Sequence, residues 1–145
     1  MVNFLLVDDD REVITILHKM IETIDSTFNI AHARNGAKAL NELEKGKIDF
    51  LITDLKMDVV NGIDLIKNIN RITQAPPIIV VCSGHRDLLS NEITDSIDGY
   101  LGKPPKPDEV RELVTTLLEK RKPIAKAAKS SGLFSRFFGQ QKKSG

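Results

Sequence analysis

Asp49-Phe50-Leu51-Ile52-Thr53-Asp54 sets a short apolar run between two carboxylates. Phe50 to Thr53 has the length and the unbroken apolar character of a strand buried on both faces. A carboxylate that directly follows such a strand sits at its carboxyl end. In an open parallel sheet that edge is where ligands bind. Asp54 therefore becomes the residue that the rest of the chain positions, charges and reads out.

Working outward, the same pattern recurs. Phe4-Leu5-Leu6-Val7 reads as a first buried strand and runs into Asp8-Asp9-Asp10. Val13, Leu17, Met20, Ile21 and Ile24 then fall at helical spacing. Phe28 to Ala33 is a weaker strand. Asn35 is placed to cap a second helix through Leu40 and Leu43 that stops at Gly46. Beyond Asp54, Ile63, Ile66 and Ile69 mark a third helix. Pro76-Pro77 halts it and leads into Ile78-Ile79-Val80-Val81-Cys82, a fourth strand. A short polar helix is expected around Leu88 to Ile93, and Tyr100-Leu101 is a brief fifth strand. Pro107 suits the first position of a fifth helix with Val110, Leu113, Val114, Leu117 and Leu118 on its apolar face. Five strands alternating with five helices predict a doubly wound α/β domain with a parallel sheet.

The 145 residues divide by charge. Residues 1–119 carry 13 Lys and Arg against 20 Asp and Glu, a net −7, while residues 120–145 carry eight basic residues and no acidic one, a net +8. The expected organisation is a domain over 1–120 and a basic, flexible tail over 121–145. No apolar run approaches a membrane span, and the amino-terminal residues lack the pattern of a secretory signal. Cys82, the single cysteine, lies in an apolar strand and reads as a small packing residue. A cytoplasmic protein is the expectation.

Four connections leave the carboxyl ends of strands: Asp8-Asp9 after the first, Asp54 after the third, Ser83-Gly84 after the fourth and Lys103-Pro104 after the fifth. With the first strand central they converge on one shallow cleft. Grouped carboxylates repel one another unless positive charge intervenes. An all-oxygen acidic site suits Mg²⁺. Lys103 adds a flexible positive donor, Ser83 a hydroxyl, and Gly84 leaves room beside them. This is the equipment for phosphoryl transfer to an aspartate nucleophile.

With Val7-Asp8-Asp9, Asp54-Leu55-Lys56-Met57, Gly62, Val80-Val81-Cys82-Ser83-Gly84 and Tyr100-Leu101-Gly102-Lys103-Pro104 in this order, the chain resembles response regulator receiver domains over about residues 2–120. Within that group it looks like the chemotaxis-regulator type. The resemblance implies a flavodoxin-like (βα)5 sheet of strand order 2-1-3-4-5. It implies that Asp54 accepts a phosphoryl group from a sensor histidine kinase or a phosphotransfer protein. It further implies Mg²⁺ held by Asp9, Asp54 and the backbone carbonyl of Lys56, with Asp8 acting through water. Lys103 would pair with the phosphoryl group, Ser83 and Tyr100 would form the switch, and the Lys103–Pro104 bond would be cis. Lys56 and His85 stand where the family tunes loss of the phosphoryl group. Departures are Asp58 in place of a proline, Pro105 in place of an aromatic, Lys106 in place of a capping residue, and a span from Ser83 to Lys103 about two residues short. The fourth helix is accordingly expected to be short or irregular. His18, His32 and His85 show no ligand spacing.

In the tail, Lys120 to Pro123 is read as the end of the fifth helix, and Ile124–Lys129 as a further helical piece broken at Ser130-Ser131-Gly132. Leu133, Phe134, Phe137 and Phe138 then fall on one helical face between basic residues. That composition suits a membrane-surface anchor or a motif docking in a partner groove. It is too short for a DNA-binding module. The leading expectation is a stand-alone receiver that catalyses only its own phosphorylation and dephosphorylation and switches a downstream protein partner. A static receiver whose tail carries the function is the second reading. A haloacid-dehalogenase-type phosphatase is a third, and it wants a second aspartate where Lys56 stands.

Overall fold

Three short apolar runs and two weaker segments, Asn29–Ala33 and Gly99–Leu101, fold as five parallel strands. In a computed structural model of the chain, residues 1–57, 60–73 and 75–131 are described, with Asn70 and residues 122–131 as backbone only. The elements are β1 (Asn3–Val7), α1 (Arg11–Ile24), β2 (Asn29–Ala33), α2 (Gly36–Glu44), β3 (Phe50–Thr53), α3 (Gly62–Ile72), β4 (Ile78–Cys82), α4 (Asn91–Ser96), β5 (Gly99–Leu101) and α5 (Pro107–Ser131). The sheet order is β2-β1-β3-β4-β5, as the resemblance implied.

Strand alternation sorts the core into two layers. Leu5, Val7, Leu51, Ile79 and Val81 pack with Ala39 and Leu43 of α2, Leu65, Ile66 and Ile69 of α3, and Ile93 of α4. The alternate residues, among them Phe4, Leu6, Phe50, Ile52 and Val80, are fully buried and belong to the other face. There Phe4 stacks on Phe50 with ring centroids 4.8 Å apart and meets Phe28 at 5.0 Å. The buried residues of α1 are Ile14, Leu17 and Ile21; Val13, Met20 and Ile24 are only half-buried, so the buried stripe is centred nearer Ile14 than the spacing had placed it.

Side-chain caps start the helices. Asp10 accepts from Glu12 N at the head of α1, Asn35 from Lys38 N at α2, and Asn61 from Asp64 N at α3. Gly46, at φ +82°, follows the end of α2 in the left-handed conformation that glycine tolerates.

Two helices differ from expectation. Instead of one helix over Leu88–Ile93 there is a 3-10 turn at Arg86–Leu88, then α4 from Asn91. Ser90 caps α4 by accepting from Ile93 N at 3.3 Å, which moves the helix start past Leu88 and Leu89. The second difference is α5, which runs through Pro123 to Ser131. Alanine- and lysine-rich sequence beyond Pro123 favours helix. The chain forms two compact units, Met1–Arg111 and the residues from Glu112 onward. Leu133, Phe134, Phe137 and Phe138 lie outside the described residues, as does Asp58. No described helix is long and apolar enough to cross a membrane.

Candidate functional site

Strand register places the site. Val7 pairs with Thr53 and Thr53 with Val81, so β1 and β3 end level, and Asp8 and Asp54 step off side by side. One further hydrogen bond ties each residue to the ladder: Asp8 N to Ala33 O at 3.2 Å, Asp54 N to Val7 O at 3.0 Å and Ser83 N to Leu101 O at 3.0 Å. These backbone bonds hold the three residues at the ends of the strands. Gly62, the first residue of α3, donates to Leu55 O at 2.9 Å. A Cβ at Gly62 would come within 1.8 Å of Asp54 O, so only glycine lets α3 approach the end of β3 this closely.

Asp8, Asp9 and Asp54 present carboxylate oxygens that all lie within 4.8 Å of one another. Asp8 and Asp54 are 2% and 4% exposed, while Asp9 faces solvent. Asp54 Oδ1 accepts from Leu55 N at 2.7 Å and Asp8 Oδ1 from Asp10 N at 2.9 Å, which fixes both carboxylates. Their Oδ2 atoms share one cation: Lys103 Nζ is 2.8 Å from each. Burial raises the pKa of Asp8 above its ordinary value, against the pull of the Lys103 ammonium and the Asp10 amide. Burial also acts to lower the pKa of Lys103, but its hydrogen bonds to Asp54 and Asp8 prevail and hold it above the ordinary lysine value. The donor set fits a hard dication: three clustered carboxylates, all oxygen, with one open to water. Lys103 neutralises part of this charge meanwhile.

Ser83 is fully buried. Its Oγ accepts from His85 N at 3.0 Å, which folds the loop back over the end of β4. Gly84 has ample space: a Cβ there would meet nothing nearer than Lys103 Cβ at 4.0 Å. The smallness of Gly84 leaves an opening above Lys103 that packing does not require. Lys56 and His85 line one open cleft of about 340 Å³ with Leu55, Met57, Asn61, Ile63, Asp87 and Leu88. The structure thus brings both residues to the same flank of the site.

Tyr100 donates its hydroxyl to Ser83 O at 2.5 Å, and Arg86 lies over its ring, 5.3 Å from the centroid. Arg86 was not singled out from the sequence; its place three residues past Ser83 was the available signal. The Lys103–Pro104 peptide is cis. Burial pushes the Cys82 thiol up to about 12, as befits a packing residue with no reactive role.

Comparison with known proteins agrees with this fold. The family profile described as the response regulator receiver domain matches residues 4–128. The chain is 37% identical over 115 residues to the transcriptional regulatory protein CpxR of Escherichia coli K12, covering 78% of this chain and 46% of CpxR, so it spans about half the length of that relative. It is 29% identical over 119 residues to the chemotaxis protein CheY of Pseudomonas aeruginosa, covering 80% of this chain and 95% of CheY. The receiver domain of AraT, a response regulator from Geobacillus stearothermophilus, superposes with a TM-score of 0.75 at 26% identity, over 85% of this chain and 98% of that one.

Proposed function

Since the chain belongs to the response regulator receiver domain family of two-component signalling, we propose that it is a phospho-receiver in which Asp54 takes a phosphoryl group from a phosphohistidine donor and passes the change to a protein partner. The observation that carries this reading is the bridge of Lys103 to both Asp8 and Asp54, at 2.8 Å each, beside exposed Asp9. A counter-ion shared by two buried carboxylates at the open edge of a parallel sheet is costly to assemble for structure alone.

Asp9, Asp54 and the Lys56 carbonyl would hold Mg²⁺, with Asp8 acting through water. When bound, Mg²⁺ supplies positive charge that offsets the carboxylates and the phosphoryl oxygens. An Asp54 oxygen attacks phosphorus, and the bond from phosphorus to the donor imidazole nitrogen breaks. Leu55 N keeps the attacking carboxylate oriented through Oδ1. Lys103 follows the negative charge onto the phosphoryl oxygens. The space beside Gly84 admits them, and the Ser83 hydroxyl turns from the His85 amide to donate to one. Ser83 carries the Tyr100 hydroxyl on its own carbonyl, so the same movement reaches β5. The donor is a sensor histidine kinase or a phosphotransfer protein. The chain acts on its own aspartate and on no external substrate.

The switching half is tested with beryllofluoride, a phosphoryl mimic, added with Mg²⁺ to isotopically labelled protein. The amide signals of Ser83, Tyr100 and Lys103 are expected to move together. Shifts confined to Asp54 and Leu55, with Tyr100 silent, would favour a static receiver instead.

A further inference from the structure

On the α1 side of the sheet two histidines meet. His32 lies on β2, an edge strand, and pairs in register with Leu6, so it takes the same face of the sheet as Leu6. His18 lies on α1 one residue past buried Leu17, at the margin of that helix's buried stripe. Their rings stand edge to face with centroids 4.9 Å apart, and His18 Nδ1 is 2.7 Å from His32 Nε2. Glu22, one helical turn beyond His18, sets Oε2 3.6 Å from His18 Nε2.

We propose that His18 and His32 form a surface site for an imidazole-seeking first-row dication such as Zn²⁺, distinct from the all-oxygen site at Asp54. Glu22 acts as the outer carboxylate that orients His18.

With the His18 proton on Nε2, the side on which the Glu22 carboxylate stands 3.6 Å away, the Nδ1 lone pair is directed at His32. A metal-ligating histidine characteristically sends its second ring N–H to a carboxylate. In the metal-free pair one of the two facing nitrogens carries the shared proton; with His18 protonated on Nε2 it is His32 Nε2. On binding, His32 carries its proton on Nδ1 instead, and both facing nitrogens become ligands with no net proton change. Two nitrogens on a tetrahedral Zn²⁺ stand roughly 3.3 Å apart. The pair must therefore open slightly from 2.7 Å, which side chains at the protein surface can do: the side chain of His18 is 32% exposed and His32 is exposed. Burial, and then the neighbouring His18, lower the pKa of His32, which keeps the imidazole neutral and ready to ligate at physiological pH. Mg²⁺, which demands oxygen ligands, would not compete here. The site spans the first helix and the edge strand, so an occupied site clips α1 to β2.

The test is Zn²⁺ titrated into the full chain with Mg²⁺ in excess, followed by calorimetry and by imidazole NMR of the three histidines. One equivalent is expected to bind, shifting His18 and His32 and leaving His85 unmoved. His18→Gln and His32→Gln should each weaken binding by about tenfold or more, Glu22→Gln by a few fold, and Asp54→Asn not at all. Failure of the wild type to bind, equal binding by the double His variant, or loss of binding in Asp54→Asn would each overturn the assignment. The imidazole shifts in the wild type decide the matter without any variant.

Discussion

The Lys103 ammonium lies 2.8 Å from Asp54 Oδ2, joining the loop after β5 to the carboxyl end of β3. The same nitrogen reaches Asp8 Oδ2 at 2.8 Å. Lys103 is thus the counter-ion of two buried carboxylates that lie far from it in sequence, Asp54 by 49 residues and Asp8 by more. It also links Asp54 to the strand that carries Tyr100.

Removing that ammonium should therefore have two effects. Lys103→Ala leaves Asp8 and Asp54 uncompensated, and breaking a buried pair from one side costs about 3–5 kcal/mol. Partial exposure of Lys103 argues for the lower end. Mg²⁺ should restore part of the lost stability, since it binds only the folded site. Thermal melts with and without Mg²⁺ check this. Phosphorylation of the variant should persist while partner binding no longer responds to it; partner binding that still tightened would disconnect Lys103 from the switch.

Much of this site was legible because Asp8, Asp54 and Ser83 each directly follow a buried strand. Phe50–Thr53 and Ile78–Cys82 were readable as strands from unbroken apolar character, and Asp54 and Ser83 came with them. The helices were harder. The face of α1 was misjudged around Ile14 because Val13 and Ile14 are both apolar and only packing chooses between them. The start of α4 depended on which polar residue capped it, and Ser90 prevailed. The His18–His32 contact was invisible, since the two lie 14 residues apart and meet only through helix phase and strand register. The course of α5 through Pro123 shows that one proline does not outweigh strong helix formers beyond it.

Asp8 makes stability depend on pH in an unusual direction. Burial raises its folded pKa above the ordinary value of 3.8, so the folded state holds the proton more firmly than the unfolded chain. Its contribution to stability is fully present below about pH 3.8 and is lost as pH rises through the folded pKa. Asp8→Asn keeps that position neutral while Lys103 retains Asp54. The variant is expected to match wild type in acid and to exceed it in stability at pH 7. Urea unfolding across this pH range checks it; a variant less stable at pH 7 would show that the Asp8–Lys103 pair outweighs burial.

Gly62→Ala should damage the site without touching a charge. The added methyl would fall 1.8 Å from Asp54 O, so backbone rather than a flexible side chain must give way. A loss of about 2–4 kcal/mol is expected, the range of severe overpacking. Slower phosphorylation should accompany it, because the end of β3 must move. Chemical denaturation and the initial rate of labelling measure the two effects.

Asp9 and Asp10 separate metal binding from helix capping. Asp9 is exposed and belongs to the carboxylate cluster, whereas Asp10 caps α1 by accepting from Glu12 N at 2.9 Å. Asp9→Ala should abolish most Mg²⁺ affinity with little change in metal-free stability. Asp10→Ala should lower stability by about 1 kcal/mol and leave Mg²⁺ affinity nearly intact. A Mg²⁺ titration in which the two variants behave alike would refute this division.

Everything rests on Asp54 as the acceptor, and intact-mass spectrometry after incubation with acetyl phosphate and Mg²⁺ addresses it most directly. Wild-type protein is expected to gain the mass of one phosphoryl group, and Asp54→Ala, otherwise folded, to gain none. Equal labelling of the two proteins, or labelling of neither, would contradict the assignment of Asp54 and with it the roles given to Lys103, Ser83 and Tyr100.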